Sequence, residues 1–233
     1  MLKLLPILLA VGYGLVLWWF STRRLKRELD ERSTLLADGP LKRLTDRMAE
    51  ALGVARIPVH VYEIEPVNGL ASPDGRIFIT RGFYQRYRRG EVSPEEMASV
   101  IAHELGHVAL GHARRRLIDF TGQNAMRTTL ALILGRFLPG VGIVIANALT
   151  SLVAAGLSRS DEYEADAYAS ALLVKAGIGT EPQKSLFRKL ERLTEGRGGA
   201  APAWLMTHPK TDKRIAAIEA LEARWAAKAL PQG

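Results

Sequence analysis

Ser99-Val-Ile-Ala-His-Glu-Leu-Gly-His-Val-Ala-Leu110 is the stretch on which the reading of this chain turns. It carries no charge except Glu104, and its apolar residues read as a buried helix. His103 and His107 are four residues apart, so they stand on one helical face about one turn from each other, and both imidazoles can reach one metal ion. Glu104, beside the first histidine, is then placed to polarise a water at that ion. A buried helix with a carboxylate and two imidazoles needs a reason for them, because unpaired polar groups are costly away from water. The H-E-x-x-H pattern is therefore read as a zinc site rather than as incidental histidines.

A catalytic zinc needs a third protein ligand and one open position. The chain has no cysteine, so the candidates are His, Asp and Glu. His112 is poorly placed. The metzincin pattern puts a third histidine ten residues after the first, behind a glycine turn, whereas His112 follows His103 by nine. On a continued helix it faces away from His103, at ~100° per residue, and it reads as a supporting or surface residue. A better source is Leu157-Ser-Arg-Ser-Asp-Glu-Tyr-Glu-Ala-Asp-Ala-Tyr-Ala-Ser170. Glu162 and Asp166 share a helical face. One carboxylate can ligate the metal, and the other can accept an N–H from a ligating histidine and fix its tautomer. Glu164, roughly opposite Glu162, reads as a solvated charge.

Four blocks follow one another in the chain: Asn68-Gly-Leu-Ala71 with Gly75-Arg-Ile-Phe-Ile-Thr-Arg-Gly82, the H-E-x-x-H run, Glu162-x-x-Ala165-Asp166, and His208-Pro209-x-x-x-x-Arg214. Over roughly residues 40 to 222 this order resembles the membrane-associated zinc metallopeptidases (gluzincins) of the HtpX, CAAX prenyl protease and Oma1 type. The resemblance implies Glu162 as third ligand and Asp166 as the residue behind a ligating histidine. It implies that Asn68, Gly69, Leu70 and Ala71 form the edge strand that receives substrate. Gly69 stands where those relatives usually carry alanine. The resemblance also implies a role for His208, either stabilising the oxyanion of the tetrahedral intermediate or closing the metal site as a fourth ligand. The plainer alternative is a histidine in the turn before the last helix, with Pro209 at its start. Arg214 is expected to pair with a carboxylate near the site.

The net charge is +8, drawn largely from clusters at Arg23–Arg27, Arg86–Arg89 and Arg114–Arg116. No nucleic-acid motif accompanies them, and a membrane surface is the more economical partner. The absence of cysteine excludes a disulfide framework and a thiolate site, and it suits a reducing compartment. Leu4 to Phe20 is uncharged, ends in Trp18, Trp19 and Phe20, and is followed by Arg23, Arg24, Lys26 and Arg27. Residues 1–22 are expected to form one transmembrane anchor and 23–39 a basic juxtamembrane helix. The basic side should stay cytoplasmic, which places the N-terminus outside and the protease domain, residues 40–228, in the cytosol. Were residues 1–22 a signal peptide, the domain would be periplasmic, but its charge follows the apolar run instead of preceding it.

A second apolar region, 128–157, lies between His107 and Glu162. One crossing there would separate ligands of one metal. Two crossings need roughly forty apolar residues, and the region has about thirty. It is read as a helical hairpin packed beside the active site. Elsewhere the spacing predicts a long helix over 21–52, strands over 57–64 and 76–80, and a turn at Ser72-Pro-Asp-Gly75. Ser93-Pro94-x-Glu96 is read as the start of the zinc helix. Further helices are expected from Glu181-Pro182 and over Lys210 to Lys228. The fold expected is α+β, mostly helical, with a small antiparallel sheet. The function expected is zinc-dependent endoproteolysis of membrane-associated or misfolded polypeptides. One Zn2+ is expected to be held by His103, His107 and, as the resemblance implies, Glu162, with Glu104 as general base. The rivals are a membrane-tethered zinc-binding chaperone or scaffold, which has no use for Glu104, and a basic membrane-surface adaptor, which binds no metal.

Overall fold

The computed structural model describes residues 5–72, 74–112, 127, 130–131, 134–136, 138, 141–195 and 211–229. It divides into two compact units, one made of Met1–Glu31 with Gly111–Asp161 and the other of Arg32–Leu110 with Glu162–Gly233.

The second unit holds the sheet and most of the helices. Strands β1 (Ser33–Leu35), β2 (Val59–Tyr62), β3 (Gly69–Ala71) and β4 (Ile77–Thr80) form one sheet in the order β1-β2-β4-β3. β1 is antiparallel to β2, and β3 to β4, but β2 and β4 run parallel. The sheet is therefore mixed, not antiparallel as the sequence suggested. The cause is topological. The chain leaves β2, forms β3 at the far edge, reverses where Gly75 N donates to Ser72 O at 2.9 Å, and inserts β4 between the two, so β4 comes back in the direction of β2. Alternation of apolar residues marks which face is buried and carries no information on strand direction.

Helix α1 spans Leu5–Glu31, α2 Gly39–Leu52, α3 Arg81–Arg88, α4 Pro94–Ala109, α5 Gly142–Lys175, α6 Glu181–Glu195 and α7 Thr211–Ala229. The single helix expected over 21–52 is instead two. Asp38, in an extended conformation, caps α2 by accepting from Leu41 N, Pro40 sits in the first turn where its missing N–H costs nothing, and Ser33–Leu35 pairs with β2. α3 starts directly on β4, with Thr80 as its N-cap. α4 begins where Ser93-Pro94-x-Glu96 placed it. The arm expected to end at residue 157 continues without a break as α5 to Lys175, so one helix carries both the apolar stretch and the acidic motif.

The core of the second unit joins Met48 of α2, Val59, Ile77 and Ile79 of the sheet, Met97 and Ile101 of α4, Leu173 of α5, Phe187 of α6 and Ile218 of α7. Among the described residues no helix is long and apolar enough to cross a membrane. The crossing anchor expected over 1–22 is thus not found there, and residues 1–4 lie outside the described residues.

Candidate metal centre

The site is assembled by α4 and α5. A reciprocal cap starts α4: Glu96 N donates to Ser93 Oγ at 3.1 Å, and Ser93 N donates to Glu96 Oε2 at 2.8 Å. The same Glu96 carboxylate accepts from Ser185 and Lys189, each at 2.7 Å, which ties α6 to the start of α4. From Met97 to Gly106 the helix is buried apart from Leu105, and His107 is buried too, so His103 and Glu104 are held in a dry environment.

Gly106 lets α5 approach. A Cβ at that position would lie 2.9 Å from the backbone oxygen of Ala165, so only glycine admits the α5 backbone this closely. Glu162, almost one turn before Ala165, is brought opposite both histidines. His103 Nε2 and His107 Nε2 are 3.2 Å apart, with their rings at 87°. Glu162 Oε2 lies 3.4 Å from His103 Nε2, and Glu162 Oε1 lies 3.5 Å from His107 Nε2. Donor atoms around a tetrahedral zinc with bonds of about 2.0–2.1 Å stand about 3.3–3.4 Å apart. Two imidazoles and a carboxylate at this spacing fit such an ion. Among the described residues His103, His107 and Glu162 are the group that converges in this way.

Behind them, His103 Nδ1 and Asp166 Oδ1 are 2.9 Å apart. Arg214, fully buried on α7, donates to both oxygens of Asp166: Nε to Oδ2 at 2.6 Å and NH2 to Oδ1 at 2.7 Å. Its NH1 lies 3.8 Å from Glu162 Oε2, and its guanidinium sits 4.4 Å from the centre of the Phe187 ring. Burial opposes charge on Asp166, but the Arg214 cation and the hydrogen bonds outweigh it and hold the pKa at about 2. Burial likewise opposes charge on His103, and the hydrogen bonds to Asp166 and Glu162 outweigh it, lifting its pKa to about 9. Gln183 Nε2 donates to Asp166 Oδ1 at 3.3 Å, and Ser170 Oγ donates to Gln183 Oε1 at 2.8 Å. Sequence reasoning missed Gln183 and Ser170. No local pattern marks them, since each acts on a partner 13 or 17 residues away.

Glu104 is buried beneath the sheet edge, with its Cγ and Oε1 each 3.5 Å from where a Cβ on Gly69 would stand. Asn68 is bound to Thr80 through its backbone N–H and carbonyl, both at 2.9 Å. Leu70 and Ala71 complete β3, the outer strand. His112 is buried, not at the surface: α4 has ended, Gly111 takes φ +67°, and His112 Nε2 lies 3.8 Å from Asp161 Oδ1. His208 lies outside the described residues.

The sequence profile described as Peptidase family M48 matches residues 36–222. The chain belongs to peptidase family M48. Relatives bear this out. Metalloprotease LoiP of Escherichia coli is 33% identical over 177 residues, covering 73% of this chain and 68% of its own. A protease HtpX homolog of Salinibacter ruber is 28% identical, with 95% and 88% covered. The mitochondrial metalloendopeptidase OMA1 of Schizosaccharomyces pombe is 27% identical, with 80% and 52% covered. This M48 chain is accordingly a metalloendopeptidase.

Proposed function

We propose that this M48 chain hydrolyses extended polypeptide segments with one zinc ion held by His103, His107 and Glu162, and with Glu104 as general base. The observation that carries this reading is the convergence of two imidazole nitrogens and a carboxylate at 3.2–3.5 Å in a buried site. Zinc, when bound, supplies a Lewis acid that polarises the scissile carbonyl and makes water more acidic. Glu104 takes the proton of the attacking water and hands it to the leaving amine. Asp166 accepts the Nδ1–H of His103, which leaves Nε2 to face the metal. Arg214 keeps Asp166 ionised and in place.

The outer strand β3 lies above Glu104 and offers backbone groups to a substrate that adds as a further strand. Recognition through backbone hydrogen bonds gives affinity with little choice of side chain, which suits misfolded or membrane-associated polypeptides. A role for His208 rests on the family resemblance alone. His208→Ala lowers cleavage if His208 stabilises the oxyanion, and raises it if it closes the metal site. Helix α1 is proposed as the membrane attachment, with the protease on the cytoplasmic side. Tyr13, Leu15, Val16, Trp19 and Phe20 are exposed, and the Arg23 guanidinium sits 3.8 Å from the centre of the Trp19 ring, an aromatic and basic pairing suited to a lipid interface.

The test compares the full chain with Glu104→Gln for bound zinc and for cleavage of casein. The reading expects zinc in both and a loss of cleavage of roughly 10²–10⁴-fold in the variant. Equal cleavage by both would remove Glu104 from the mechanism, and zinc without cleavage in either would favour a scaffold.

A further inference from the structure

β3 is one of the two edge strands of the sheet and packs on α4. Gly69 pairs with Ile79 of the neighbouring β4, and both Ile79 and Val100 of α4 are buried. Gly69 does not take a positive φ, so its backbone would suit alanine; space alone keeps a side chain out. A Cβ there would lie 2.8 Å from Val100 Cγ1, where carbon atoms pack at about 3.5–4.0 Å. Val100 cannot swing aside easily, because a β-branched side chain in a helix has one strongly preferred rotamer. Glu104 stands one turn further along the same face of α4, with its carboxylate 3.5 Å from the same point. β3 is also pinned at both ends: Thr80 N donates to Asn68 O at 3.0 Å, and Ser72 N donates to Arg76 O at 2.8 Å.

Resting on the peptidase reading above, we propose that Gly69 is a positioning residue. Its missing side chain, matched to the methyl groups of Val100, sets the separation between the substrate-binding strand edge and the Glu104 carboxylate. A methyl at 69 lifts the edge by several tenths of an ångström. A substrate strand bonded to that edge is lifted with it, away from the base. Strand pairing with the substrate survives this shift, so binding is retained while attack is misaligned.

The experiment measures kcat and KM of the full chain on an extended fluorogenic peptide, with bound zinc determined in each variant. Gly69→Ala is expected to lower kcat by about tenfold, with KM within about twofold, since misplacement by 1 Å costs up to 10²-fold. Zinc should be unchanged. Adding Val100→Ala to Gly69→Ala removes the opposing methyl groups and is expected to restore kcat to within about threefold of the original chain. An unchanged kcat in Gly69→Ala overturns the proposal, and so does a double variant that stays as slow as the single one. If Gly69→Ala alone does not fold, the double variant decides: near-normal kcat supports the pairing and low kcat with full zinc overturns it. Failure of the peptidase reading is separate, since it shows as equal cleavage by the unaltered chain and Glu104→Gln before any Gly69 variant is compared.

Discussion

Asp166 accepts from Arg214 Nε and NH2, from Gln183 Nε2 and from His103 Nδ1. A buried carboxylate this well supplied stays ionised, and its folded pKa of about 2 lies below the ordinary 3.8. The stability it contributes is therefore present above pH 3.8 and is lost as the pH falls towards 2. His103 has the opposite sign. Its pKa of about 9 lies above the ordinary 6.5, so in the metal-free chain its contribution is present below pH 6.5 and is lost as the pH rises through 9. Zinc must displace the proton from Nε2. Zinc affinity is thus expected to rise by about tenfold per pH unit between 6.5 and 9, while the urea midpoint of the metal-free chain falls over the same range. A competition titration with a chelator and a denaturation series at each pH measure the two. An affinity that ignores pH in this window would show that His103 is already neutral in the metal-free chain, against the raised pKa.

Between the helices, contact geometry decides what the sequence shows. The histidine spacing and the Ser93-Pro94-x-Glu96 cap were legible because each acts within one or two turns. The parallel pairing of β2 with β4 and the β1 strand inside an apparent helix were not, because each depends on a partner far along the chain, and the run of α5 through residue 157 was read as two separate pieces, apolar and acidic, where the helix is one. Helix α3 was hidden for another reason: Arg81, Arg86, Arg88 and Arg89 look like a solvated charge cluster, yet Phe83 beneath them is fully buried. The meeting of α4 and α5 at Gly106 supports a prediction with an unusual sign. On a free helix Gly→Ala gains about 1 kcal/mol. At Gly106 the new methyl meets the Ala165 backbone at 2.9 Å, so Gly106→Ala is expected to lower the thermal midpoint and to weaken zinc binding at the same time. A rise in stability with normal zinc content would mean that the helices have room to spare.

The molecule combines a second unit that builds the site with a first unit that exposes apolar residues. Leu15, Val16 and Phe20 of α1 and Ile143 and Val144 of α5 are each more than half exposed. These exposed apolar groups and the Arg23–Arg27 cluster are the basis on which α1 is proposed to attach to an anionic lipid surface. The full chain is expected to float with vesicles containing phosphatidylserine. Replacing Trp19 and Phe20 by alanine, or raising salt to 1 M, is expected to reduce that binding by at least tenfold. Binding that is indifferent to both would place the attachment elsewhere. The grouping of His103, His107 and Glu162 was legible in outline from two short blocks, the H-E-x-x-H run and Glu162-x-x-Ala165-Asp166, while the contacts of Gln183, Ser170 and Phe187 behind it needed the folded chain.

Zinc stoichiometry in the full chain and in Glu162→Ala, read by native mass spectrometry, tests the central claim most directly. The account predicts one zinc per chain, with binding at least tenfold weaker once the carboxylate is gone. A Glu162→Ala chain that keeps its full zinc, or a folded original chain that takes none, would contradict it.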